Sequence, residues 1–230
     1  MKNAPINKIT VFLVAAMLSV SAIALDFNQT QKLANQGNAE AQFDLGKIYA
    51  NGTGIEQDYT KAIEWYIKSA NQGNYEAQNS LGGMYKWGWG LTKDHMKAFK
   101  WYQKAANQGY APAQSSLAYM YQDDRGAFKN DAKAIEWYKK AADQGDAGAK
   151  VSLADIYNYG MGTPQDHMKA FELYQKAADQ GDAGAKVSLG FMYEVGDGVT
   201  QNKSKAKNLY KQSCDEGYQP GCKYYSDLNE

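Results

Sequence analysis

Small and aromatic residues recur along this chain in steps of four. Ala41, Leu45 and Tyr49 fall on one face of a 3.6-period helix. A second stretch, Asp58 to Asn74, reads D-Y-T-K-A-I-E-W-Y-I-K-S-A-N-Q-G-N, and Ala62, Tyr66 and Ala70 mark its inner face in the same way. Both stretches return at one interval. The glycines of the Gln-Gly step, or of its last variant Glu-Gly, are Gly37, Gly73, Gly109, Gly145, Gly181 and Gly217, each 36 residues after the one before. A period of this length, held without insertion, predicts a repeat solenoid. No helix pair of this kind buries both its faces alone, so pairs are expected to stack, with special units at the ends.

The pattern predicts an all-α superhelix of five helix-pair repeats, 38–73, 74–109, 110–145, 146–181 and 182–217. A capping helix over 25–37 precedes them and a single capping helix over 218–230 follows. First helices are predicted to start after Asn38, Asn74, Asp146 and Asp182, whose side chains accept a free first-turn N–H. Tyr110 and Tyr218 depart from this, and Pro112 and Pro220 follow them where a missing N–H does no harm. Second helices start after Asp58, Asp94, Asn130, Asp166 and Asn202, and end at Gly73 and its equivalents. Gly46, Gly82 and Gly190 recur inside first helices, at a cost of about 1 kcal/mol each. Close approach of the partner helix is the expected reason, with Ala118 and Ala154 in the same slot. The G-x-G loops, such as Gly52-Thr53-Gly54, follow no strand, so they are read as helix-to-helix turns with positive φ and not as phosphate cradles. Asp124 replaces the first glycine in repeat three, where the turn is expected to differ.

The first 24 residues break the pattern. Lys2 and Lys8 precede an apolar run from Ile9 to Val20, and Ala22-Ile23-Ala24 forms an A-x-A step. This predicts a secretory signal peptide cut after Ala24, the apolar run being short for a spanning helix. Equal numbers of basic and acidic residues, 25 each, leave no basic footprint for nucleic acid and no polybasic stretch for a membrane surface. Cys214 and Cys222 are the two cysteines. An even count in a secreted chain favours a disulfide between them, here pinning the C-terminal cap; two buried thiols are the alternative.

The residues that recur are Ala41, Leu45-Gly46, Tyr49, Gly52-x-Gly54, Asp58, Lys61-Ala62, Trp65-Tyr66, Ala70 and Gln72-Gly73 with their copies. This pattern resembles the Sel-one-like repeat (SLR) family, relatives of the tetratricopeptide repeats, over essentially the whole mature chain. The resemblance implies an αα-superhelix with a concave surface and a role as adaptor or scaffold. The Cys214–Cys222 spacing resembles the cysteine-rich Hcp-type members, which implies a β-lactamase-like or penicillin-binding alternative. Its traceable residues are Ser204 and Lys207, an S-x-x-K match in the first turn of a second helix, without S-D-N or K-T-G companions. His95 and His167 lie 72 residues apart on first turns, too far in a stacked array to share a metal, and are read as solvated.

A solenoid places its specificity where its copies differ. Tyr85-Lys86-Trp87-Gly88-Trp89 is the aromatic departure: elsewhere the Trp87 position holds Asn51, Asp123, Tyr159 or Val195. Trp87 and Trp89 either bind a partner or pack on the neighbouring loop. By analogy with related helical repeats, Phe43, Asp44, Lys47, Asn79, Ser80, Ser115, Ser116, Tyr119, Asp155 and Phe191 are placed on or near the concave face. The chain is thus expected to be a non-enzymatic periplasmic or secreted monomer that binds a protein or peptide-like ligand. No cofactor, metal, nucleic-acid partner or stable membrane anchor after cleavage is expected.

Overall fold

The computed structural model describes residues 27–123 and 128–228. The leader, its cleavage step and Asp124 lie outside the described residues. Among the described residues there are twelve helices and no strands. They are α1 (27–35), α2 (Ala39–Asn51), α3 (Tyr59–Asn71), α4 (Tyr75–Trp87), α5 (His95–Asn107), α6 (Ala111–Gln122), α7 (Asp131–Asp143), α8 (Ala147–Tyr159), α9 (His167–Asp179), α10 (Ala183–Val195), α11 (Lys203–Asp215) and α12 (Gln219–Asp227). The fold is the all-α repeat class that the periodicity predicts. The chain divides into two compact units, one ending at Gln108 and one beginning at Gly109. The first holds α1 to α5 and the second α6 to α12.

The helices begin where their caps demand. Asn38 Oδ1 accepts from the Ala41 N–H at 2.8 Å, and Asp58 Oδ1 from that of Lys61 at 2.9 Å. Each such cap is worth about 1 kcal/mol. Tyr110 and Tyr218 make no side-chain cap, and a proline sits in the first turn instead. First helices end on a left-handed glycine, Gly52, Gly88, Gly160 or Gly196. Without that glycine, α6 stops one residue early, on an extended Asp123.

Packing explains the glycine inside first helices. A Cβ on Gly46 would lie 2.6 Å from the Tyr66 ring, and one on Gly82 equally close to Tyr102. The core tyrosine of the second helix lies directly against the backbone of the first. Tyr66 joins Ala62, Ala70, Ala77, Leu81 and Met84 in the core of the first unit. Tyr174 does the same in the second, with Ala170, Ala177, Ala185, Leu189 and Met192. The second loop glycine has a separate duty. At Gly90 a Cβ would meet Tyr59 of the preceding repeat at 2.5 Å, so the loop can rest on that helix start only without a side chain.

A ladder of polar side chains joins the two helices of each repeat. Gln72 Nε2 donates to Gln42 Oε1 at 2.7 Å, Gln108 to Gln78 at 2.8 Å, and Gln144 to Gln114 at 2.8 Å. In the last two repeats the rung changes chemistry. Lys150 Nζ donates to Gln180, and buried Lys186 forms an ion pair with Glu216.

Cys214 of α11 and Cys222 of α12 form a disulfide across a Cα–Cα distance of 4.4 Å. Here α12 approaches closely: a Cβ on Gly221 would lie 2.6 Å from Ser213 Oγ, where other first helices carry Ala77, Ala113, Ala149 or Ala185.

Candidate partner-binding surfaces

In the first unit the aromatic departure lies at the end of α4. Gly88, in the left-handed region, turns the chain out of the helix, and the Trp89 N–H is held by the Met84 carbonyl at 3.1 Å. Trp89 stacks on Tyr59, with centroids 6.2 Å apart and planes 14° from parallel, yet half of it stays exposed. Trp87 is 58% exposed and carries Lys86 Nζ 4.9 Å above its ring. The two rings thus differ in their surroundings. Trp89 packs on a neighbouring helix start, while Trp87 stands out in solvent.

The groove candidates of this unit are uneven. Phe43 is a core residue, 8% exposed with its ring 5.8 Å from that of Tyr66, and this corrects its placement on a free concave face. Its position on α2 points into the packed interface with α3, which covers it. Asp44 is half-buried and pairs with exposed Lys47 at 3.3 Å. Ser80 is hydrogen-bonded to the Tyr66 hydroxyl, whose pKa is pushed up to about 12 chiefly by burial. Asn79 Oδ1 is buried without a hydrogen-bond partner.

In the second unit, Tyr119 and Phe191 are exposed, and Ser116 is half-buried. Ser115 Oγ is buried without a partner. Asp155 is half-buried and accepts from the Tyr174 hydroxyl. Burial pushes its carboxyl up, and the Tyr174 hydroxyl pulls partly the other way. Two more core tyrosines reach polar groups near helix ends: Tyr138 donates to Gln122 at 2.9 Å and Tyr210 to Glu194 at 2.8 Å. Burial raises both, Tyr138 to about 12.

A cavity of about 200 Å³ opens in this unit, bounded in part by Tyr159, Tyr174, Phe191, Asp197 and Tyr224. Of these, sequence reasoning picked out Phe191 alone. The available signal was the periodicity itself. Tyr159 stands one turn beyond Asp155 and occupies the Trp87 position of its repeat, and Asp197 occupies the Trp89 position.

The remaining candidates for chemistry stay apart. Ser204 is exposed in the first turn of α11, and Lys207 Nζ lies 5.9 Å above the ring of Tyr225. His95 is exposed, but His167 is half-buried with Nδ1 2.9 Å from Asn158 Oδ1, which corrects the reading of both as solvated. Its helix start lies under the loop glycine Gly198 of the next repeat, which shields it. Among the described residues no group of His, Cys, Asp and Glu could hold a metal ion, and no helix is long and apolar enough to cross a membrane.

Comparison with known proteins matches the Sel1 repeat model five times, at residues 39–74, 76–110, 111–146, 147–182 and 183–218. No curated protein sequence matches. Among solved structures, a Sel1 repeat protein from Oxalobacter formigenes is 34% identical with a TM-score of 0.80, over 85% of this chain and 78% of that one. A protective antigen of uropathogenic Escherichia coli, displaying an SLR fold, is 35% identical with a TM-score of 0.77. That match takes in 86% of this chain but 43% of the antigen, so the chain spans under half of that protein's length. An immunity protein from Pseudomonas aeruginosa is 25% identical with a TM-score of 0.55, over 80% of this chain and 67% of its own.

Proposed function

The chain belongs to the Sel1 repeat family, and from that premise we propose that it is an exported, non-catalytic scaffold that holds a protein or peptide partner on its repeat surfaces. The observation that carries this reading is the exposed Trp87 beside the half-exposed, Tyr59-stacked Trp89. Tryptophan supplies a large contact area at small entropic cost and dominates binding hot spots. Two such rings at one loop occur in no other repeat of the array. Trp89, held by its stack, is a preorganised floor, and Trp87 is the side chain a partner would cover. Export is supported by the leader-like first 24 residues and by the Cys214–Cys222 disulfide, a bond that persists in oxidising compartments.

Affinity capture from the native cell envelope tests the proposal, using the wild-type protein and the Trp87→Ala variant as parallel baits. A protein retained by the first and depleted on the second is expected. Capture profiles indistinguishable from an unrelated helical-repeat bait would overturn it. Nitrocefin turnover by the purified protein that disappears in Ser204→Ala would overturn the non-catalytic part.

A further inference from the structure

We propose that the cavity of the second unit is a cation subsite that takes the side chain of a lysine or arginine presented by a peptide partner. The inference deepens the partner-binding reading and rests on it. The cavity walls come from three successive first helices, from Tyr174 of the second helix α9, and from one loop. Tyr159 is the last residue of α8, Phe191 projects from α10, Asp197 lies in the loop after α10, and Tyr224 comes from the capping helix α12. Tyr159 is 69% exposed, and Phe191 and Tyr224 are also open to solvent. Three aromatic side chains thus border one small hollow without burying one another.

Size limits the occupant. Sites for whole small molecules typically run to about 300–1,000 Å³. A volume of about 200 Å³ suits a single side chain better. Charge then decides which side chain. Asp197 is in the wall, and no lysine, arginine or histidine lines the cavity. Lys223, next to Tyr224 on α12, is exposed and not among the lining residues. Two more carboxylates lie behind the wall, Asp155 one hydrogen bond back and Glu194 one stacked ring further. Asp155 accepts from the hydroxyl of the lining residue Tyr174. Glu194 accepts from Tyr210, whose ring stacks on Tyr224 with centroids 5.2 Å apart. A phenol that donates to a carboxylate becomes richer in electrons, and aromatic faces attract cations through their quadrupole. An anion would meet the like charge of Asp197 and no cation in the lining. An apolar side chain would strip water from Asp197 and offer it no partner. A guanidinium or ammonium satisfies both the rings and the carboxylate.

The test uses the purified protein and a defined probe, the capped peptide Gly-Arg-Gly, with its citrulline analogue as the uncharged isostere. Binding is followed by NMR amide shifts. Saturable shifts are expected at the end of α8, along α10, in the Asp197 loop and on α12. Citrulline should bind about tenfold more weakly, the scale of a desolvated cation–π contact. Asp197→Asn and Phe191→Ala should each weaken the arginine peptide about threefold or more, without loss of helix content. Shifts that fail to saturate, equal binding of the citrulline peptide, or indifference to both substitutions would overturn the subsite. The envelope capture above reads out separately. A partner captured by a protein that shows no arginine selectivity would sink the subsite and leave the scaffold standing.

Discussion

The Trp loop of the first unit and the aromatic hollow of the second use the same two repeat positions with the chemistry exchanged. In the first unit these positions hold Asn51 at the end of α2 and Trp89 in the next loop. In the second they hold Tyr159 at the end of α8 and Asp197 in the next loop. The backbone is the same in both places: a left-handed glycine ends the helix, and a second glycine seats the loop on the preceding repeat. The loop aromatic Trp89 finds a ring to lie on, Tyr59, and becomes a fixed platform. The loop carboxylate Asp197 finds rings across a gap and becomes the polar wall of a hollow. An identical scaffold thus yields a hydrophobic surface or a charged pocket by the choice at two loop-facing positions. On the proposed reading, these positions give the array its specificity without altering its core.

The comparison breaks most readily at the C-terminal cap, because the hollow needs Tyr224 on α12 and the Trp loop does not. Replacing both Cys214 and Cys222 by serine should cost about 2–3 kcal/mol on the chain-entropy estimate for so short a loop. α12 has neighbours on one side, α10 and α11, and so should loosen first. Urea unfolding should show the loss, and arginine-peptide binding should fall with it. Capture through the Trp loop should survive. Intact mass with and without reductant checks the premise: an unreduced protein that takes up two equivalents of iodoacetamide would show free thiols.

A second contrast lies in the polar ladder. Gln72 and Gln42 are neutral partners, whereas Lys186 is a buried charge whose partner Glu216 is partly open to solvent. Glu216→Ala strands that charge and should cost about 2 kcal/mol, below the usual range for a fully buried pair because water reaches this rung. Gln72→Ala removes a neutral bond and should cost about 1 kcal/mol. Converting the charged rung to the neutral one, with Lys186→Gln and Glu216→Gln together, should return stability to within about 0.5 kcal/mol of wild type. Equal costs for the two single variants would show that burial of Lys186 carries no energetic weight.

Within the Trp loop the two rings should separate by assay. Trp87→Ala and Trp89→Ala should each weaken partner binding by more than about 1 kcal/mol. Trp89→Ala should also lower stability by about 0.5–1 kcal/mol through its lost stack on Tyr59, while Trp87→Ala leaves stability unchanged. Partner affinity unchanged in both variants would confine the rings to packing and solvent.

The array was legible because its determinants are local and repeated. Asn38 and Asp58 announce helix starts, Gly52 announces a stop, and the 36-residue interval announces stacking. Even the glycine slot was readable as close approach, which the Tyr66 ring over Gly46 supplies. The surfaces were less legible, since they depend on which neighbour covers a given face. Phe43 and Phe191 both belong to first helices, yet one is sealed against Tyr66 and the other borders an open hollow. The polar rungs of the ladder pair residues 30 positions apart, and nothing in the local pattern around Lys186 points to Glu216. Tyr224 was out of reach for the same reason: the cap and its disulfide were legible, but not which first helices share one cavity wall.

The smallest effect concerns Asp155, and its sign is informative. Its titratable neighbours are Tyr174, which donates to it, and Tyr138, whose charge interaction with it is repulsive once both ionise. Burial raises its pKa, so the native state favours the protonated carboxyl more than the unfolded chain does. A raised acid contributes stability below its unfolded pKa and loses it as pH climbs through the folded value. Above its unfolded pKa the Asp155 carboxyl therefore weighs against folding. Asp155→Asn keeps an acceptor for Tyr174 and removes the charge. Near neutrality it should stabilise the protein, by less than any loss above, and the gain should fade as pH falls through the raised pKa. The same substitution withdraws a carboxylate from behind the hollow and should weaken the arginine peptide. Opposite movements of stability and peptide affinity in one variant would identify Asp155 as a charge retained for binding. A variant that destabilises the protein at neutral pH would show instead that the ionised carboxylate is needed to hold Tyr174 in place.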